Sequence, residues 1–125
     1  MSRKTTKQLL QDFVSNAFKD HEKAQSELIE QIKNNQLTGT FGPAHVEHVQ
    51  RTESLIRALD FTPEFIDSDE FDELTDEQIS NWVKSSYESN KRRENDYLRG
   101  GISTKDIYAL SGVSQYRIFL EKLVK

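Results

Sequence analysis

The chain has 125 residues, with 17 lysines and arginines against 21 aspartates and glutamates, a formal charge of −4 and 34% hydrophobic residues. That length suggests one domain, or one body with a small appendage, and the absence of cysteine excludes disulfides, thiol catalysis and thiolate metal sites. The longest run of large apolar residues, Ile118-Phe119-Leu120, is far too short to span a bilayer. No apolar stretch follows the basic start Met1-Ser2-Arg3-Lys4, so the expectation is a soluble, cytoplasmic chain with no membrane partner.

From about Thr5 to Gln36 the apolar positions are Leu9, Leu10, Phe13, Val14, Ala17, Phe18, Ala24, Leu28, Ile29 and Ile32, at helical spacing and with no glycine or proline. This predicts a long amphipathic helix, or two helices meeting near Lys19–Lys23. A helical body of this size has limited means to bury such a stripe alone, so a homodimer is expected. Leu37–Pro43 reads as a loop, and Pro43 suits the first turn of a second helix running to about Leu59. His45 and His48 lie three apart on that helix, but no HExxH or related pattern completes them, and no metal site is expected. Asp60–Leu74 reads as a loop anchored by Phe61, Phe65 and Phe71. Its acids Asp67, Asp69, Asp72 and Glu73 lack the ligand spacing and central glycine of a calcium loop.

Thr75-Asp76-Glu77-Gln78 has the form of a capping box. A third helix should follow from Asp76 to about Arg99, burying Ile79, Trp82, Val83, Tyr87, Tyr97 and Leu98, and ending at Gly100-Gly101. Ser103-Thr104-Lys105-Asp106 then caps a short helix to Leu110. Ser111-Gly112-Val113-Ser114 reads as a tight turn, with Ser114 capping a last helix. No strand pattern or repeat occurs. The expected fold is all-α: a helical bundle with a long N-terminal helix, divided into a body at 1–99 and a C-terminal segment at 100–125.

Charge is unevenly spread. Residues 60–80 carry nine acids (Asp60, Glu64, Asp67, Asp69, Glu70, Asp72, Glu73, Asp76 and Glu77) and no base, whereas residues 81–125 carry nine bases against five acids. The acidity of the chain therefore comes from one short middle segment. No GxSxG, GxxxxGK[ST] or GxGxxG motif is present and no serine is paired with a histidine by spacing. Neither an enzyme nor a cofactor site is expected.

The run Asp106-Ile107-Tyr108-Ala109-Leu110-Ser111-Gly112-Val113-Ser114-Gln115-Tyr116-Arg117-Ile118 resembles the helix-turn-helix of bacterial repressors, MerR-like regulators and resolvases. The resemblance implies that Gly112 takes the left-handed turn conformation, that Ile107 and Val113 pack between the helices, and that Ser114 caps a recognition helix. Gln115, Tyr116 and Arg117 would then face the major groove of double-stranded DNA. Lys91, Arg92, Arg93 and Lys105 would neutralise phosphates beside it. The last helix also carries an apolar stripe of Tyr116, Phe119, Leu120, Leu123 and Val124, with Ile118 nearly opposite, which leaves a core-packed hairpin as the alternative.

Two functions remain open at this point. One is a small dimeric DNA-binding regulator or accessory factor of bacterial, phage or plasmid type. The other is an acidic helical interaction protein, an inhibitor, immunity protein or adaptor, docking a basic partner at 60–77. The discriminator is placement: a DNA binder needs Arg117 and Lys91–Arg93 exposed on one face, and an interaction protein needs the acidic segment exposed.

Overall fold

The computed structural model describes residues 4–34, 43–100 and 104–124. Among these there is no strand, and six helices follow in order: α1 (Thr6–Asn34), α2 (Pro43–Leu59), α3 (Thr62–Ile66), α4 (Asp69–Glu73), α5 (Asp76–Arg99) and α6 (Thr104–Val124). The fold is all-α, as the periodicity predicted. The expected loop residues 37–42, Gly101, the Ser103 cap and the side chains of His45 and Lys105 lie outside the described residues.

Local chemistry sets most of the helix starts. Thr5 and Gln8 bond reciprocally, side chain to backbone, at the head of α1. The predicted capping box is present at α5, where Thr75 accepts from the Gln78 amide and Gln78 reaches back to the Thr75 amide. Thr5-x-x-Gln8 has the same form.

Two stretches differ from expectation. Asp60–Leu74 is not an irregular loop but contains α3 and α4. Pro63 sits in the first turn of α3, where its missing amide hydrogen is no loss, and the Ser68 hydroxyl caps α4 by accepting from Phe71 N at 3.2 Å. Helices this short are held by burial of Ile66 and Phe71 rather than by propensity.

The second correction is larger. Residues 104–124 form one continuous helix, so the turn expected at Ser111–Ser114 is absent. Glycine costs a helix interior about 1 kcal/mol, but here Gly112 is where α6 meets α2. A Cβ at that position would overlap the Ser54 carbonyl and lie 2.9 Å from Leu55 N. The two flanking serines do not cap a new helix. Ser111 Oγ accepts from Gln115 Nε2 at 3.3 Å, and Ser114 Oγ donates to Glu94 Oε2 at 2.6 Å.

That contact puts α6 in the middle of the bundle, against α2 and α5, while α1 packs mainly on α2. One core joins Leu10 and Val14 of α1, Ala58 and Leu59 of α2, Ile66, Phe71, Ile79 and Val83 to Val113, Tyr116 and Leu120 of α6. Residues from both sides of the expected boundary at 99 thus share a single core. Phe13 stacks on Phe119 with ring centroids 3.9 Å apart, tying α1 to α6. The α1 stripe is divided: Leu10, Val14, Ala17 and Ala24 are buried within the chain, and Leu9, Phe18, Ile29 and Ile32 remain exposed. Part of the stripe on which pairing of two copies was expected is thus turned inward, and part stays on the surface.

Gly112→Ala is expected to destabilise the chain by roughly 1–3 kcal/mol despite its better helix propensity, because the methyl group meets backbone rather than a movable side chain. Gly100→Ala is the control. Its Cβ would meet only Asp96 O at 3.6 Å, so stability should change by less than about 0.5 kcal/mol. Urea melts of the two variants check the contrast, and equal effects would remove the role given to the α2–α6 approach.

Candidate docking surface

The residues expected to read DNA do not form one outward face. Tyr116 is 2% exposed. Its hydroxyl pairs with Thr62 Oγ1 at 2.8 Å, and its ring lies parallel to Phe13. Burial pushes its pKa up to about 12, against the opposing pull of the Thr62 hydrogen bond and the Arg93 charge. Arg117 spans two carboxylates. Its Nη2 lies 3.2 Å from Glu94 Oε2 and its Nη1 lies 2.9 Å from Glu121 Oε2. Burial alone would lower the Arg117 pKa, but the hydrogen bonds and charges of Glu94 and Glu121 outweigh it and the net direction is up.

The other expected contacts are scattered. Ser114 shares the Glu94 carboxylate with Arg117. Arg93 Nη1 donates to Ala58 O at the C-terminal end of α2 and to Asn90 Oδ1. Lys91, Arg92 and Gln115 are exposed. Lys91 sits over the Tyr87 ring, and Gln115 donates to Ser111. The Lys105 side chain is outside the described residues. The physical reason for the change is the unbroken α6: without a turn at Gly112, positions 114, 116 and 117 fall on faces already packed against α3 and α5.

The acidic segment behaves differently. All nine acids from Asp60 to Glu77 are exposed. None has an ion-pair partner among the described residues. Several occupy helix first turns, where a negative charge suits the backbone dipole: Glu64 in α3, Asp69, Glu70 and Asp72 in α4, Asp76 and Glu77 in α5. The nearby cation Lys7 donates to the Asp72 carbonyl oxygen rather than to a carboxylate.

An aromatic recess opens within this acidic face. Asp60 leaves α2 with φ 56°, a left-handed conformation that aspartate tolerates better than most residues. That bend delivers Phe61 to the surface, where it is 74% exposed. Phe61, Phe65 and Trp82 line a recess of about 390 Å³ with Glu64 and Glu70 at its edge. Phe65 and Trp82 stack at 4.9 Å, and Phe71 meets Phe65 edge-on at 5.4 Å. Of the three expected anchors, Phe71 is fully buried, Phe65 is half-buried and Phe61 is not an anchor. Trp82, expected in the core, forms a wall of the recess. Sequence periodicity gives no sign of this, because the bend at a non-glycine residue leaves no pattern.

No group of three or more metal-ligating side chains occurs among the described residues, and no helix among them is long and apolar enough to cross a membrane. No protein-family model, curated protein or solved structure matches the chain.

The Tyr116 environment gives a pH prediction. A phenol whose folded pKa is raised from 10 to about 12 stabilises the fold fully below pH 10, and that contribution is lost as the pH climbs through 12. The native chain should therefore lose about 2–3 kcal/mol more than Tyr116→Phe between about pH 9 and about pH 12. Urea melts at both pH values check it, and identical alkaline losses in the two chains would contradict a buried phenol.

Proposed function

We propose that the chain is a non-catalytic docking protein that binds a basic partner protein through the α3–α4 face. The observation that carries the reading is the exposed Phe61 ring beside the Phe65–Trp82 recess, edged by Glu64 and Glu70, in a segment whose nine carboxylates are all exposed and have no ion-pair partner among the described residues. The two features have complementary uses. Carboxylates at this density steer a basic surface into encounter and set its orientation, while contributing less to the final affinity. Burial of the Phe61 side chain supplies roughly 1.5–3 kcal/mol, and the recess aromatics can receive an arginine or lysine by cation–π contact. An inhibitor or immunity protein that occupies the basic groove of a nucleic-acid enzyme, with carboxylates standing where phosphates would, is one form of this role.

The DNA-regulator reading draws less support. Of its recognition residues Tyr116 is buried and Arg117 is held by Glu94 and Glu121, which leaves Gln115, with Lys91 and Arg92, exposed among its described contacts. An acidic face of this size also repels phosphates unless it is turned away from them.

A photo-crosslinking residue placed at position 61 in the native host should capture one basic protein, whereas the same residue at exposed position 118 should not. With that partner purified, Phe61→Ala and the triple variant Glu64→Gln, Asp67→Asn, Glu70→Gln should each weaken binding by about tenfold or more, with unchanged melting temperature. Association should slow steeply with added salt. The opposite result is binding of duplex DNA at about 0.15 M salt that survives the acidic-face substitutions and is lost in Lys91→Ala, Arg92→Ala. It would replace this reading with the regulator.

A further inference from the structure

A second concavity, independent of the acidic face and of the docking role, lies where α2, α5 and α6 converge. Its volume is about 560 Å³, within the range of small-molecule sites, and it shares no lining residue with the Phe61 recess. Ala58, Ala109 and Val113 give it an apolar floor, and Tyr97 and Tyr108 line it with aromatic surface. Arg93, half-buried, supplies its chemistry.

The donors of Arg93 are unevenly used. Nη1 donates to Ala58 O at 3.1 Å and Asn90 Oδ1 at 3.0 Å, which fixes the guanidinium plane. Nε and Nη2 donate to no group among the described residues, and no carboxylate there lies within ion-pair distance of Arg93. The other cation of the lining, Arg57, is already paired with Glu53 at 2.8 Å. One guanidinium edge is thus held in place with two parallel N–H donors, the geometry that accepts the two coplanar oxygens of a carboxylate. Glu53 and Asp106 on the same lining oppose a polyanion such as a nucleotide phosphate chain.

We propose that this cavity binds a small aromatic monocarboxylate, its carboxylate on the Nε–Nη2 edge of Arg93 and its ring against Tyr97 and Tyr108. The site needs no partner protein, so its occupancy and the docking reading stand or fall separately.

Benzoate and naphthoate, with naphthamide and inorganic phosphate as controls, are the probes, titrated into the full chain by calorimetry and by backbone amide shifts. Naphthoate should bind saturably and move the amides of Tyr97, Ala109 and Val113. Naphthamide, isosteric but neutral, should bind about tenfold more weakly or worse, and phosphate should not saturate. Ala109→Met fills the cavity while leaving the Arg93 contacts in place, and should abolish binding. Arg93→Lys keeps the charge and a donor for Ala58 O but loses the fork, and should weaken naphthoate by about tenfold with a melting temperature close to native. Failure of both carboxylates to bind at up to about 10 mM, equal binding of naphthoate and naphthamide, or binding unchanged by Ala109→Met would each overturn the assignment.

Discussion

The absence of a side chain at Gly112 sets the architecture. It lets the backbones of α6 and α2 approach until a methyl group no longer fits between them and the Ser54 carbonyl. With α6 pressed that closely on α2, the positions that follow have fixed destinations. Val113 and Leu120 enter the core, Tyr116 reaches Thr62 at the start of α3, and Arg117 and Ser114 converge on Glu94 of α5. The Tyr116–Thr62 hydrogen bond in turn fastens the short α3 to the bundle, beside the bend at Asp60 that exposes Phe61. One missing side chain in α6 is therefore connected, through packed and hydrogen-bonded neighbours, to the geometry of the acidic face.

Much of the fold was legible because it rests on local signals. The α1 and α5 spans follow from uninterrupted helical periodicity, α2 begins at Pro43 as a first-turn proline should, and the Thr75–Gln78 capping box does what its pattern says. The misreading at 111–114 has a definite cause: the same residue serves two physical purposes and only tertiary contact decides between them. Glycine is favoured in a left-handed turn and also where two helix backbones touch, and Ser111-Gly112-Val113-Ser114 satisfies the first pattern while serving the second. Serine caps helices, but Ser114 spends its hydroxyl on Glu94, 20 positions away in the chain. The apolar stripe of Tyr116, Phe119 and Leu120 carried the better signal, since it marked a helix packed along its length.

The candidate surface was half legible. Nine acids without a base are visible in the sequence as a segment, and all nine remain exposed. What the sequence concealed is the aromatic component, because Phe61, Phe65 and Phe71 look alike in a string and differ only in depth. Opposite charges are also handled asymmetrically. Half-buried Arg117 and Arg93 are engaged by Glu94, Glu121, Asn90 and the end of α2, whereas the acids of α3, α4 and the first turn of α5 have no ion-pair partners among the described residues. Arg117 is neutralised by Glu94 and Glu121 and Arg93 is held by neutral acceptors, while the nine carboxylates of 60–77 stay exposed, with no base among them in the chain.

Residues 104–124 form one helix that sets Ser114, Tyr116 and Arg117 against the neighbouring helices. Backbone chemical shifts and sequential amide–amide contacts across Ser111–Ser114, measured on the free chain in solution, test it most directly. Unbroken helical shifts through Gly112, continuous amide contacts from Leu110 to Gln115, and cross-peaks from the Gly112 α-protons to Ser54 and Leu55 are expected. A left-handed Gly112 with helical shifts interrupted at Ser111 and resuming after Ser114, and no contact to α2, would contradict it and return the C-terminal segment to a helix-turn-helix.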